Sequence, residues 1–195
     1  MESFYLIVCF ILPNVFWQLF MRKSISGKQN ALLHLMWTYI FFLYCSMALG
    51  VAGVGTIWDL IHNRSFCGNI NLIPFAPSYR ILNILNIMMF MPLGFLLPLI
   101  WKRYRNIFRT LLTGFGFSLL IELMQLFNLR VTDVDDLIMN TLGTLAGFLL
   151  WFLFSRVFQS IGKRSEEFIA TEPLIYLFLG SLGVFLLYDQ KIFYL

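Results

Sequence analysis

The chain has 195 residues, of which 59% are hydrophobic and only 12% are charged, and its formal net charge is +4. An ordinary soluble domain is about 45–50% apolar and about 25% charged. The composition therefore excludes a soluble globular domain, a disordered chain and a small disulfide-stabilised protein. It predicts an integral membrane protein, and at about 20 residues per span the length leaves room for about six spans.

Apolar stretches along the chain predict an all-α, polytopic transmembrane helix bundle of about six spans. The longest connection, about 58–82, follows the second span. Its apolar residues, with Pro74 and Pro77, predict a segment that lies in the membrane interface or re-enters the membrane. The predicted spans are 4–21, 31–57, 84–101, 107–127, 137–154 and 173–188.

The basic residues predict the orientation of the bundle. Cytoplasmic loops of membrane proteins carry an excess of Lys and Arg, so the positive charge is better explained by topology than by nucleic-acid binding. Both termini and the connections after the second and fourth spans are then expected outside the cell. Ten of the fourteen basic residues follow spans one, three and five: Arg22, Lys23, Lys28, Lys102, Arg103, Arg105, Arg109, Arg156, Lys163 and Arg164.

Polar residues on the fourth span form a stripe. Ser118, Glu122 and Gln125 recur at a spacing that places them on one helix face. A carboxylate within a span usually faces a bundle interior or a wet cavity, because exposure to hydrocarbon is costly. Glu122 lies six residues before Asn128, or roughly 9 Å from the helix end at 1.5 Å per residue, which is a shallow position.

The fifth span repeats this pattern with Asp136, Asn140, Gly143 and Gly147. The short loop between the two spans makes them antiparallel neighbours. The two stripes therefore predict one polar pocket near the outer surface. Its predicted lining is Glu122, Gln125, Asp136 and Asn140, with Arg130, Asp133 and Asp135 at the mouth.

Structural roles compete with this interpretation for several of the same residues. Thr132 and Asp135 have the spacing of a helix-capping arrangement, and acidic residues suit a helix N-terminus. Glu122 is equally suited to pairing with Arg130 or Arg80, which would hold the bundle together. Asn86 fits either an interhelical hydrogen bond or the pocket.

Two further features are interpreted as structural. Gly143 and Gly147 form a GxxxG pair, whose more common role is close helix packing. His34 and His62 are interpreted as ordinary interface residues. Together with the cysteines they offer no metal-ligand spacing, and the acidic turn alone is a weak signal for Mg²⁺ or Ca²⁺. The sequence thus calls for no metal and no cofactor.

The polar motifs in their order along the chain resemble the VanZ-like family. The resemblance covers about 71–154 and divides the chain into an N-terminal two-span region (1–70), a VanZ-like core (71–154) and a C-terminal loop with the last span (155–195). The matching polar positions are Asn86, Ser118, Glu122, Gln125, Arg130, Asp133, Asp136 and Asn140.

The resemblance implies a multi-pass protein of the bacterial cell membrane. The family's namesake is linked to low-level resistance to teicoplanin, a lipoglycopeptide that acts on cell-wall precursors. The expected partners are membrane lipids and an amphiphilic ligand, such as a lipid-linked precursor or a lipoglycopeptide. Alternatives are an intramembrane enzyme acting on a lipid-linked substrate, with Glu122 as acid or base and the aspartates holding a divalent cation, and a small transporter. The sequence identifies no nucleophile, so it favours a protein without enzymatic activity but leaves the enzyme alternative open.

Overall fold

A computed structural model of the chain describes residues 2–21, 30–63, 70–71, 80–128, 130–157, 169 and 171–193, without the side chains of 63, 70 and 80–83. These residues form α-helices, with 3-10 turns at Lys102–Arg105 and Gln190–Phe193. Two short strands, β1 (Ile70–Asn71) and β2 (Thr132–Asp133), pair in parallel. The helices are α1 (Glu2–Phe20), α2 (Ala31–Ala52), α3 (Ile57–Asn63), α4 (Arg80–Ile100), α5 (Ile107–Gln125), α6 (Val134–Val157) and α7 (Glu172–Leu187).

The helices have the length and surface of membrane spans. Four stretches are long and apolar enough to cross a membrane, and Ile84–Ile100 and Glu172–Leu187 are shorter apolar helices. The outside of the bundle is apolar as well, with Phe20 84% and Phe108 79% exposed. A contiguous apolar surface of this kind is typical of contact with lipid. The predicted all-α membrane bundle is therefore confirmed.

The closest packing in the bundle joins α4 to α6, which run parallel. A Cβ atom added to Gly143 would lie against the carbonyl oxygen of Ile87, and one added to Gly147 against that of Met91. Small residues let two helix backbones approach in this way. The predicted packing role of the GxxxG pair is confirmed, and its partner helix is α4.

The two ends of the bundle differ in chemistry. At the end that we call the basic end, α4 and α6 finish beside Lys102, Arg103 and Arg156. At the opposite end, the carboxylate end, α2 and α5 finish and α6 begins. The predicted interfacial or re-entrant segment at 58–82 falls mostly outside the described residues. Its described parts are α3 and β1.

Candidate functional site

The turn between α5 and α6 is built by hydrogen bonds from its own polar residues. Asp133 Oδ1 accepts the backbone N–H of Asp135 at 3.0 Å, so Asp133 caps the N-terminus of α6. The sequence predicted a cap here but assigned it to Thr132, whose hydroxyl instead donates to the carbonyl of Glu122 at 3.2 Å. Asn71 on β1 donates to Asp133 Oδ2 at 3.2 Å, which ties the preceding connection to the cap.

Glu122 lies under this turn and is 2% exposed. Its Oε2 accepts the backbone N–H of Asp133 at 3.1 Å. The carboxylates of Asp133 and Asp136 and the guanidinium of Arg130 are near enough to interact with it electrostatically. Glu122, Asp133 and Asp136 therefore form one group, which we call the carboxylate cluster. Glu122 makes no ion pair with Arg130, while the side chain of Arg80 lies outside the described residues.

The floor and one wall of the carboxylate cluster come from neighbouring helices. Asn86 on α4 donates a hydrogen bond to Asp136 Oδ1, so it is at once an interhelical contact and a neighbour of the cluster. One turn deeper, Asn140 donates to Ser118 Oγ at 2.9 Å. This bond joins the two polar stripes directly, as their spacing predicted, and both residues are buried.

The side chain of Gln125 bonds α2, whereas the sequence predicted that it lines a pocket between α5 and α6. Its side-chain amide donates to the carbonyl of Ala52 at 2.8 Å, and Arg130 donates to the same oxygen. Ala52 ends α2, where the last carbonyls lack intrahelical partners and attract donors and positive charge. Gly53 follows in the left-handed conformation (φ 63°), and a Cβ there would lie 3.0 Å from Arg130 Cζ. The stripe of α5 thus bonds α6 through Ser118 and α2 through Gln125.

The predicted mouth of the pocket is only partly as expected. Arg130 is exposed and Asp133 is half-buried, but Asp135 is 1% exposed. Asp135 belongs to the first turn of α6, where a carboxylate favours the helix N-terminus. Its expected place at the opening was therefore wrong.

A groove opens at the same end of the bundle as the carboxylate cluster. It encloses about 430 Å³ between α1 and α2, within the 300–1,000 Å³ range typical of ligand sites. Gly53 belongs to its lining and packs against Arg130, whereas Glu122 and Asp136 do not line it. Its walls include Leu6, Ile7, Met47, Leu49, Val51 and Val54.

The acidic residues that the structure describes do not assemble into a metal site. Within the described part of the chain, no three His, Cys, Asp or Glu side chains form a group that could hold a metal ion. The enzyme alternative depends on a divalent cation held by the aspartates. No such ligand group is found among the described residues.

Sequence reasoning missed a second polar group, at the basic end. Glu172, 1% exposed, begins α7 and accepts hydrogen bonds from Trp101 Nε1 at 2.8 Å and Tyr176 Oη at 2.7 Å. His34 Nε2 lies 3.2 Å from both carboxylate oxygens, and Gln18 donates to Tyr176 Oη at 3.1 Å. We call these five residues the basic-end network.

His34 is therefore not the ordinary interface residue that the sequence predicted, since it is 6% exposed. The usable signal was a histidine within an apolar run. An ionisable side chain within a span usually has a partner. His62, by contrast, is exposed and contacts the carbonyl of Trp58 one turn back.

The helical bundle, its apolar exterior and its buried polar groups define an all-α membrane protein. A family model described as VanZ/LLP1 matches residues 4–155. The chain belongs to this family. The match begins well before residue 71, so it also includes α1 and α2, which the resemblance had left outside. Searches of curated proteins and of solved structures returned no match.

Proposed function

We propose that this chain is a multi-pass protein of the bacterial cell membrane that engages an amphiphile at the outer leaflet through a polar pocket at the carboxylate cluster. The amphiphile is a lipid head group, a cell-wall precursor or a lipoglycopeptide. Through it the protein contributes to teicoplanin resistance or to the handling of envelope lipids and precursors. The orientation follows from the basic end, which the positive-inside rule places in the cytoplasm.

One observation carries the proposal: Glu122 and Asp136, from two helices, meet at the end of the bundle where a groove lined by both apolar and polar side chains opens between α1 and α2. Polar groups for a head group next to apolar walls for a chain are what an amphiphile requires. Carboxylates within spans are costly and generally functional. The candidate pocket residues are Asn86, Ser118, Glu122, Gln125, Arg130, Asp133, Asp135, Asp136 and Asn140.

The test uses the full chain expressed in a teicoplanin-susceptible bacterial host. The measurements are the minimal inhibitory concentration of teicoplanin and the binding of a fluorescent lipoglycopeptide to the purified protein in nanodiscs. We expect Glu122→Ala and Asp136→Ala to abolish both effects while the protein still accumulates in the membrane. Asp189→Asn is the control, because Asp189 follows α7 at the same end of the bundle, its carboxylate accepts the backbone N–H of Lys191, and it does not line the groove. Unchanged binding in both alanine variants, at equal protein levels, would overturn the proposal.

A further inference from the structure

The carboxylate cluster offers more hydrogen-bond acceptors than its surroundings satisfy. Glu122 Oε2 receives the N–H of Asp133, and Asp136 Oδ1 receives the amide of Asn86. The second oxygen of each carboxylate receives no donor from the described residues. Since an ionised carboxylate only accepts hydrogen bonds, these two oxygens are open to a donor from a ligand.

Two buried amide oxygens, each one helical turn from a carboxylate of the cluster, also lack hydrogen-bond donors. Gln125 is 3% exposed and its Oε1 has no hydrogen-bond partner. Its amide orientation is fixed, because the carbonyl of Ala52 requires an N–H donor. Asn140, which forms the floor with Ser118, is 2% exposed and its Oδ1 is also unpartnered. Buried acceptors left without donors cost free energy, so these two oxygens, one turn from the carboxylates, favour a site that a donor-rich group completes.

The charges near the carboxylate cluster indicate whether the bound head group is positive or negative. Glu122 interacts electrostatically with Asp136 and Asp133, and Arg130 is the cation that acts on it. Asp135 adds a further negative charge near Asp136. Arg130 is already engaged with the carbonyl of Ala52. Among the side chains that the structure describes, which do not include Arg80, negative groups outnumber positive ones around Glu122, and this disfavours an anionic head group.

We infer that the carboxylate cluster binds the protonated primary amine of an amphiphile. An ammonium group carries three donors, no acceptor and one positive charge, which complements open carboxylate oxygens and buried amide oxygens. Hydrogen bonds between such ions are about twice as strong as neutral ones. The inference rests on the proposed function, because it names the ligand class of the same site.

The experiment compares probes that share a twelve-carbon chain and differ in the head group. Dodecylammonium, dodecyltrimethylammonium and dodecyl phosphate are titrated against the full chain in phosphatidylcholine nanodiscs, and the dissociation constant is taken from displacement of a fluorescent dodecyl amine. We expect dodecylammonium to bind at least about tenfold more tightly than either other probe, since each charge-assisted hydrogen bond contributes on the order of a factor of ten. Comparison among the probes needs no variant and so does not depend on how a variant folds.

Two variants locate the binding. Glu122→Gln and Asp136→Asn keep the side-chain size but remove the charge and add a donor. Each variant is therefore expected to raise the dissociation constant of dodecylammonium at least about tenfold. The affinity for dodecyl phosphate is expected to stay the same or to increase. The control Asp189→Asn is expected to bind all three probes as the unaltered chain does.

The possible outcomes separate this inference from the proposed function. If dodecyl phosphate binds as tightly as dodecylammonium and still depends on Glu122, the ammonium inference is overturned while the proposed amphiphile site stands. If the binding of none of the probes depends on Glu122 or Asp136, both the ammonium inference and the proposed function are overturned. Adding phosphatidylethanolamine to the nanodiscs distinguishes the source of the amine. Competition by this lipid supports the inference with a bilayer lipid as ligand, and unchanged dodecylammonium binding supports it with an amphiphile from outside the bilayer.

Discussion

Glu172 shows how a single buried carboxylate is stabilised in the bundle. Its two oxygens are surrounded by Trp101, which directly follows α4, by Tyr176 on α7 and by His34 on α2. Glu172→Ala removes the acceptor that these buried donors share, and buried donors left without an acceptor are costly. We therefore expect Glu172→Ala to lower the free energy of unfolding by about 3–5 kcal/mol, measured in mixed detergent micelles.

A double-mutant cycle separates this pair from general loss of packing. His34→Ala alone is expected to destabilise, and adding it to Glu172→Ala is expected to cost less than the sum of the two single changes. Strictly additive effects would contradict an interaction between His34 and Glu172.

Asp133 illustrates how one residue serves both the site and the helix. Its carboxylate caps α6, and an amide side chain keeps that role because Asn is as good a cap as Asp. We expect Asp133→Ala to lower the free energy of unfolding by about 1 kcal/mol. Asp133→Asn is expected to lower it by less, because the amide keeps the cap and loses only the acceptor of Asn71. The measurement is the unfolding midpoint in detergent. Equal loss in both variants would show that the charge, and not the cap, stabilises this turn.

At the scale of the elements, backbone atoms limit how closely α4 and α6 can approach each other. A methyl group on Gly147 would meet the carbonyl oxygen of Met91, which cannot move aside without shifting α4. We expect Gly147→Ala to destabilise the protein by about 1–3 kcal/mol, the usual cost of overpacking. The thermal midpoint of the purified protein checks this.

Gly116 provides the matched control. It lies in α5, and a Cβ there meets nothing within 4 Å. Because alanine has the higher helix propensity, Gly116→Ala is expected to leave the midpoint unchanged or slightly raised. A similar loss at both glycines would mean that the cost at Gly147 does not come from the helix contact.

The periodic parts of these elements could be predicted from the sequence. Apolar runs placed α5 within two residues of its observed end, and the common face of Ser118 and Glu122 gave the contact with α6. The start of α6 was predicted three residues late, because the cap is Asp133 and the acidic turn was treated as loop. Gln125 could not be predicted, since its partner is the final carbonyl of α2, 73 residues away, and a backbone acceptor leaves no side-chain signal.

For the whole molecule, the orientation can be tested with cysteines. In a Cys67→Ser background, Cys9 and Cys45 are buried, whereas Val131 at the carboxylate end and Arg156 at the basic end are exposed. We expect a membrane-impermeant maleimide to label Val131→Cys in intact cells and Arg156→Cys only after permeabilisation, because basic loops stay in the cytoplasm. The reverse pattern would contradict an outward-facing carboxylate cluster.

Composition and helical period were enough to predict the bundle, but not which polar residues meet across it. The partners His34 and Glu172 are 138 residues apart, and no local pattern relates them. Pairings of this range depend on how the helices pack, which one-dimensional periodicity does not specify. The proximity of the residues in the carboxylate cluster could be predicted from the sequence, because they flank one short turn.

The place of Glu172 at the start of the last helix sets an order on assembly. His34 and Trp101 leave the ribosome well before the carboxylate that they bind, and α7 lies beyond the stretch matched by the family model. A nascent chain that has inserted α1 to α6 therefore holds these two donors without their acceptor. Arrival of α7 is then the step that completes the basic end of the bundle, and a polypeptide stalled before residue 172 would present an unfinished bundle to membrane quality-control proteases.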